Sequence, residues 1–115
     1  NEAWALYEDG IASLSDIDAT IAHGLGLRWS FMGPFETIDL NAPGGIEDYA
    51  ARLRGLYASM ARTPPPDPWP DVVISRAAEE RRANLPLADL SSRRAWRDAR
   101  LSQLVAFKKK QGLMG

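Results

Sequence analysis

Gly24-Leu25-Gly26-Leu27-Arg28-Trp29-Ser30-Phe31-Met32-Gly33-Pro34-Phe35-Glu36 joins two helical patterns in a chain of 115 residues. It gathers two glycines, one guanidinium, three aromatic rings and a Gly-Pro turn. Ordinary connections are polar. This one is apolar, which predicts that its side chains are buried against something. Gly24 is the expected stop of the preceding helix, because glycine takes the left-handed backbone that closes a last turn without a Cβ clash. Pro34 suits the first position of the next helix, where its missing N–H would have no partner anyway. Buried aromatics beside one fixed cation mark a ligand-facing surface more often than plain connection.

On the N-terminal side, Trp4, Tyr7 and Ile11 recur at i, i+3 and i+7, and Gly10 can end a first helix. Ser15 and Asp18 form an S-x-x-D capping pattern, with Leu14 placed to staple against Ala19. Ile17 and Ile21 then give a second helix its buried stripe. On the C-terminal side, Phe35, Ile38 and Leu40 predict a short third helix ending near Asn41-Ala42-Pro43-Gly44-Gly45. Ile46, Tyr49, Ala50, Leu53, Tyr57 and Met60 mark one face of the next helix. Asp48 and Arg52 sit at i, i+4 on its solvent side.

Thr63-Pro64-Pro65-Pro66-Asp67-Pro68-Trp69-Pro70 cannot be helical inside, since each ring removes a donor and restricts its predecessor. It reads as a stiff, extended connection with Trp69 as an anchor. A helix resumes at Asp71, runs through Val72, Val73, Ile74 and Ala77 to about Asn84, and breaks at Leu85-Pro86-Leu87. Ser91 or Ser92 can cap a last helix through Trp96, Ala99, Leu104 and Phe107. Lys108, Lys109 and Lys110 close it, complementing the negative end of the helix dipole. Strand alternation and internal repeats are both lacking, so the expectation is an all-α helical bundle.

Composition narrows the function classes. The 45% hydrophobic and 25% charged content is that of one globular domain over 1–115, too short for a nucleotide-binding domain plus a substrate domain. A net charge of -1 argues against general nucleic-acid binding. Without cysteine there are neither disulfides nor thiolate metal sites, which agrees with a cytoplasmic location. No apolar run approaches the roughly 20 residues that span a bilayer, so a membrane partner is not expected. The chain opens at Asn1-Glu2-Ala3-Trp4 in mid-helix character and without an initiator Met, and so reads as a piece of something longer.

Glu2-Ala3, Glu8-Asp9-Gly10-Ile11-Ala12-Ser13, Asp16-Ile17-Asp18, the pair Gly24 and Gly26, and Met32-Gly33-Pro34-Phe35-Glu36 carry a resemblance. Together they resemble the C-terminal helical domain of the 3-hydroxyacyl-CoA dehydrogenases, which reads "EA…L…EDG(I/V)AS…DID" and then "G-x-G…M-G-P-F-E". That implies a bundle similar to the C-terminal domain of 6-phosphogluconate dehydrogenase. The broad family runs more directly from the glycines to Met-Gly-Pro-Phe. The insertion Leu27-Arg28-Trp29-Ser30-Phe31 looks like the lambda-crystallin/L-gulonate 3-dehydrogenase branch. Arg93-Arg94-Ala95-Trp96-Arg97-Asp98 resembles that branch's final "RR-x-W-R-D" helix.

The resemblance implies more than the chain holds. In the family, a Rossmann domain carries the glycine-rich dinucleotide loop and a His–Glu catalytic pair, and an Asn lies in an "NR" pair before the "EA". None of these is in the chain. Gly24-Leu25-Gly26 lacks a third glycine at the required spacing and follows a helix, so it is no dinucleotide fingerprint. The expectation is a second domain severed in or just after its first helix, with no catalytic or cofactor-binding residue of its own. NAD belongs to the intact enzyme. The implied partners are that Rossmann domain, a second copy in a homodimer, and a small anionic hydroxy acid or acyl-CoA. A free-standing helical interaction module with no enzymatic role is the alternative.

Arg28, Trp29, Phe31 and Met32 are the candidate substrate-binding residues. Arg28 has two readings: it satisfies helix-end carbonyls, or it pairs a substrate carboxylate through its planar fork. The remaining features have plainer ones. His23, the single histidine, has no second ligand at metal spacing and fits a structural or solvent role at a helix C-terminus. Asp16 and Asp18 fit a first turn. Glu8 and Asp9 precede a C-terminal glycine, a poor place for negative charge that hints at an ion-pair partner, although a solvated site is the favoured reading. Arg81, Arg82, Arg93, Arg94, Arg97 and Arg100 interleave with acids and read as a solvated helical face. Trp4, Trp69 and Trp96 read as core or interface anchors.

Overall fold

The structure is a computed structural model that describes residues 1–61 and 66–114. Among them no strand occurs, as the sequence predicts. Seven α-helical segments follow in order: α1 (Glu2–Glu8), α2 (Leu14–Thr20), α3 (Gly26–Trp29), α4 (Pro34–Leu40), α5 (Ile46–Met60), α6 (Asp71–Asn84) and α7 (Leu90–Lys110). The helices divide into two compact units, Asn1–Met32 with Ala99–Gly115, and Gly33–Asp98.

In the first unit, α1 ends as expected. Gly10 is left-handed at φ 70, its N–H bonds to Tyr7 O, and the Ile11 N–H reaches back to Leu6 O. α2 is capped two residues earlier than the sequence suggested. Ser13, not Ser15, has the extended backbone of a cap, and its hydroxyl accepts from the Asp16 N–H at 3.1 Å. Both serines begin an S-x-x-D pattern, so the pattern alone does not choose between them. Leu14 therefore lies inside the helix, exposed, and does not act as a staple.

Gly24 does not stop α2. The helix passes through one π-turn, Ile21–Leu25, straight into α3. The Gly26 N–H bonds to Ile21 O, and a Cβ at Gly26 would lie 2.8 Å from that oxygen. Glycine is thus the residue that lets the wide turn close, and its helical backbone shows that it is used for space, not for a left-handed cap. His23 sits within this turn, not at a helix end. Lys108 Nζ of α7 donates to Ala22 O at 2.5 Å and lies 3.4 Å from His23 Nδ1.

In the second unit, Pro34 occupies the first turn of α4 behind Gly33, as predicted. The core comprises Leu40, Ala42, Ile46, Ala50, Ala78 and Leu90, contributed by α4, the turn after it, α5, α6 and α7. α5 and α6 have the predicted bounds. The α5 stripe is buried only in its first half, through Ile46 and Ala50, whereas Tyr57 and Met60 are exposed. Asp48 and Arg52 pair at 2.7 Å as expected. Arg52 and the Gly44 N–H hold the Asp48 carboxyl below the usual carboxylate range.

Part of the proline-rich connection, 62–65, lies outside the described residues. Beyond it, Trp69 takes a positive φ of 51, a genuine outlier for a bulky side chain, costing about 1–3 kcal/mol. Arg54 holds it there, donating to Trp69 O at 3.1 Å and to Asp71 Oδ1 at 2.7 Å. The indole stacks on Tyr49 and lies 5.7 Å from Tyr57, so the anchor reading of Trp69 holds. The Tyr57 hydroxyl, bonded to that of Tyr49, and burial push Tyr49 up to about 12. α7 starts at Leu90, not at a serine cap. Pro86 is extended and a 3₁₀ turn over Leu87–Asp89 leads directly into the helix, so Ser91 and Ser92 lie within it. Its far end closes on left-handed Gly112 after the three lysines.

Candidate functional site

The stretch Gly24–Glu36 is helical on both sides of a short break, and most of its aromatic surface is not buried. Trp29 is 53% exposed and Phe35 is 61% exposed, against the expectation of burial, while Leu27 and Met32 are buried and Phe31 is half-buried. The reason is helical geometry: Leu27 projects from a different side of α3 than its neighbours Arg28 and Trp29. Arg28 is half-buried and its backbone oxygen accepts from Phe31 and Met32 N–H groups. Among the described residues its guanidinium has no hydrogen bond or ion pair. The reading in which Arg28 satisfies helix-end carbonyls is therefore corrected: Ser30 Oγ bonds Leu27 O instead, at 2.8 Å.

A second polar constellation was not singled out in the sequence. Asp39, at the end of α4, is 0% exposed. Its Oδ1 accepts from the Ile46 N–H at 2.9 Å and from Arg82, and its Oδ2 from Arg81 Nε at 3.2 Å. Gly45 makes room for it: φ is 79, and a Cβ there would lie 2.8 Å from Asp39 Oδ1. Arg94 donates to Leu40 O at 3.0 Å and Ala42 O at 2.8 Å, closing the last turn of α4. Arg93 pairs with Glu36 at 2.6 Å and lies over the Trp96 ring at 3.7 Å. The solvated-face reading of the arginines is thus overturned for Arg81, Arg82, Arg93 and Arg94. Buried and half-buried acceptors on α4 and the turn after it, invisible to local charge counting, claim them.

Chemically, Asp39 with Arg81 and Arg82 is a locking device, since its oxygens are fully used. Arg28 is different, a cation with its donors uncommitted, followed in sequence by an exposed indole. Glu8 and Asp9 show no ion pair among the described residues, and Trp4 is 73% exposed, so it anchors no core in this chain. Among the described residues no three His, Cys, Asp or Glu side chains gather as a metal site, and no helix is long and apolar enough to cross a membrane.

The all-α fold and this motif order agree with a dehydrogenase helical domain, and sequence comparison shows the family. The profile described as "3-hydroxyacyl-CoA dehydrogenase, C-terminal domain" matches residues 1–85, so the chain belongs to that family. A lambda-crystallin homolog from Homo sapiens is 37% identical over 94% of this chain and 34% of its own length. A 3-hydroxyacyl-CoA dehydrogenase from Gibberella moniliformis is 34% identical over 99% of this chain and 37% of its own. An L-carnitine dehydrogenase from Bacillus cereus is 51% identical over 69% of this chain and 22% of its own. The chain thus spans about a third or less of the relatives it matches. No solved structure matches it.

Proposed function

We propose that this chain is the substrate-side and dimer-forming part of an NAD-dependent 3-hydroxy acid dehydrogenase of the gulonate type. A Rossmann domain supplies the dinucleotide loop and the catalytic base that takes the hydroxyl proton as hydride leaves for NAD. The chain alone is inactive, because it carries no phosphate cradle and no acid/base pair. Arg28 holds the substrate carboxylate, and Trp29 and Phe31 border it. Buried Met32 supports this segment from beneath.

The observation that carries the reading is the uncommitted guanidinium of Arg28 on a helix whose register is fixed by the π-turn behind it. A relative acting on L-carnitine supports the substrate class, since carnitine is a small 3-hydroxy carboxylate. In a full-length enzyme carrying this chain, Arg28→Ala should lower kcat/KM for the acid substrate by about 2–4 kcal/mol of transition-state stabilisation. An unchanged kcat/KM refutes the role. Calorimetric titration of the 115-residue chain with NADH should show no binding. Micromolar affinity would overturn the division of labour between the two domains.

A further inference from the structure

Two adjoining cavities in the second unit share Phe35, Ile46, Val73 and Ala77 as walls. The inner one, about 280 Å³, is otherwise closed by Ile38, Ala50, Ile74 and the rings of Tyr49 and Trp69. Its lining is almost wholly carbon. The outer one, about 370 Å³, adds Arg76, Glu80, Arg81 and Asn84. We propose that the pair forms a binding site for a small amphiphilic carboxylate, with an aryl or short alkyl body in the inner cavity and its carboxylate at Arg76 and Arg81.

Three observations converge on this site. First, an apolar pocket with a few convergent polar groups at one end is the usual form of a small-molecule site. Second, the charge favours an anion over a cation. Arg76 and Arg81 line the outer cavity against Glu80 alone, leaving one positive charge in excess there, while Asp39 is fully buried and shared with Arg82. Arg76 has no hydrogen bond or ion pair among the described residues, and Arg81 is bound to Asp39 only through Nε, leaving its terminal nitrogens free to donate. Third, the wall is held at a cost. Trp69 keeps its positive φ because Arg54 clamps the Pro-Trp-Pro turn to α5 and α6, and strained backbone gathers where a surface is being shaped for use. The lining residues all belong to the second unit, and none of them is among the residues proposed to hold the substrate.

The probe is 4-phenylbutyrate, titrated into the 115-residue chain by amide NMR, with neutral 4-phenylbutanamide and cationic 4-phenylbutylamine as controls. Saturable shifts are expected at Val73, Ile74, Ala77 and the Trp69 indole, with affinity falling from acid to amide to amine. Arg76→Glu should weaken the acid about threefold or more and leave the amide unchanged. Trp69→Gly relieves the positive φ while removing the wall, and should weaken all three probes. Because Arg76 is exposed and unpaired, its variant decides the matter even where Trp69→Gly disturbs the fold. Shifts that do not saturate, shifts centred elsewhere, equal affinity for acid and amine, or indifference to Arg76→Glu would each overturn the proposal.

Discussion

Asp39 is fully buried, yet it stands at the C-terminal end of α4, where the helix dipole disfavours negative charge. Arg81, Arg82 and the Ile46 N–H offset both costs and tie α4, α5 and α6 together at one carboxylate. Asp39→Ala would leave two partly buried guanidiniums and one buried N–H unpaired. The expected loss is about 3 kcal/mol in chemical denaturation, the lower end for breaking a buried pair, because both arginines keep some solvent. An effect near zero would mean that water replaces the carboxylate. The sequence does hold a signal for this residue: Ile38-Asp39-Leu40 places an acid between apolar neighbours at a helix end. Its two arginine partners lie more than 40 positions away, and that pairing only the fold reveals. Tyr49 offers a second test at this scale. Its raised pKa means that the folded chain keeps the phenol proton more tightly than the unfolded one. Its contribution is whole below pH 10.0 and is lost as pH rises to about 12. The absorbance of tyrosinate at 295 nm should show a step near pH 12 that moves down in Tyr57→Phe, and no movement would discount the hydroxyl pair.

Helices of ordinary length were legible because their periodicity and caps are local properties. α5 and α6 keep their predicted bounds, and Gly10 and Pro34 act as their chemistry dictates. The π-turn was not legible. Glycine in sequence signals equally a left-handed stop and a place where backbone must pass close to an oxygen. At Gly26 the second use prevails, whereas at Gly24 a Cβ would meet nothing and the helix simply runs on through the π-turn. Gly26→Ala is the discriminating substitution. In a stopped helix it would cost about 1 kcal/mol or less. Against Ile21 O at 2.8 Å it must force the turn open, and overpacking of that kind costs about 1–3 kcal/mol. Thermal unfolding monitored by circular dichroism separates the two outcomes. A stabilised Gly26→Ala variant would show that the wide turn relaxes to ordinary α-helix at no cost. Forcing the turn open would rotate Arg28 relative to α2, so the same variant in a full-length enzyme should lose affinity for the acid substrate alongside Arg28→Ala.

At the scale of the whole molecule, the apolar residues outnumber the places that hide them. Neither α1 nor α2 contributes a buried residue, and Ile11 is 68% exposed alongside the open Trp4 and Tyr7. In the C-terminal half of α7 and beyond, Phe107 and Leu113 are exposed as well. Soluble monomers seldom expose a continuous apolar patch beyond a few hundred Å². A second copy is the economical cover, because one self-complementary face is then buried twice under two-fold symmetry. On the proposed division of labour a Rossmann domain would cover some of this surface, so the isolated chain is the stricter test of self-association. Light scattering at micromolar concentration should give about twice the 12.7 kDa of the chain, with a melting temperature that rises with concentration. Replacing exposed Trp4 and Ile11 together by lysine should return the chain to 12.7 kDa without loss of helix content, since neither supports a core here. A monomer at all concentrations in the unmodified chain, with unfolding independent of concentration, would show that the exposed apolar surface is self-contained and would overturn the second copy as its cover.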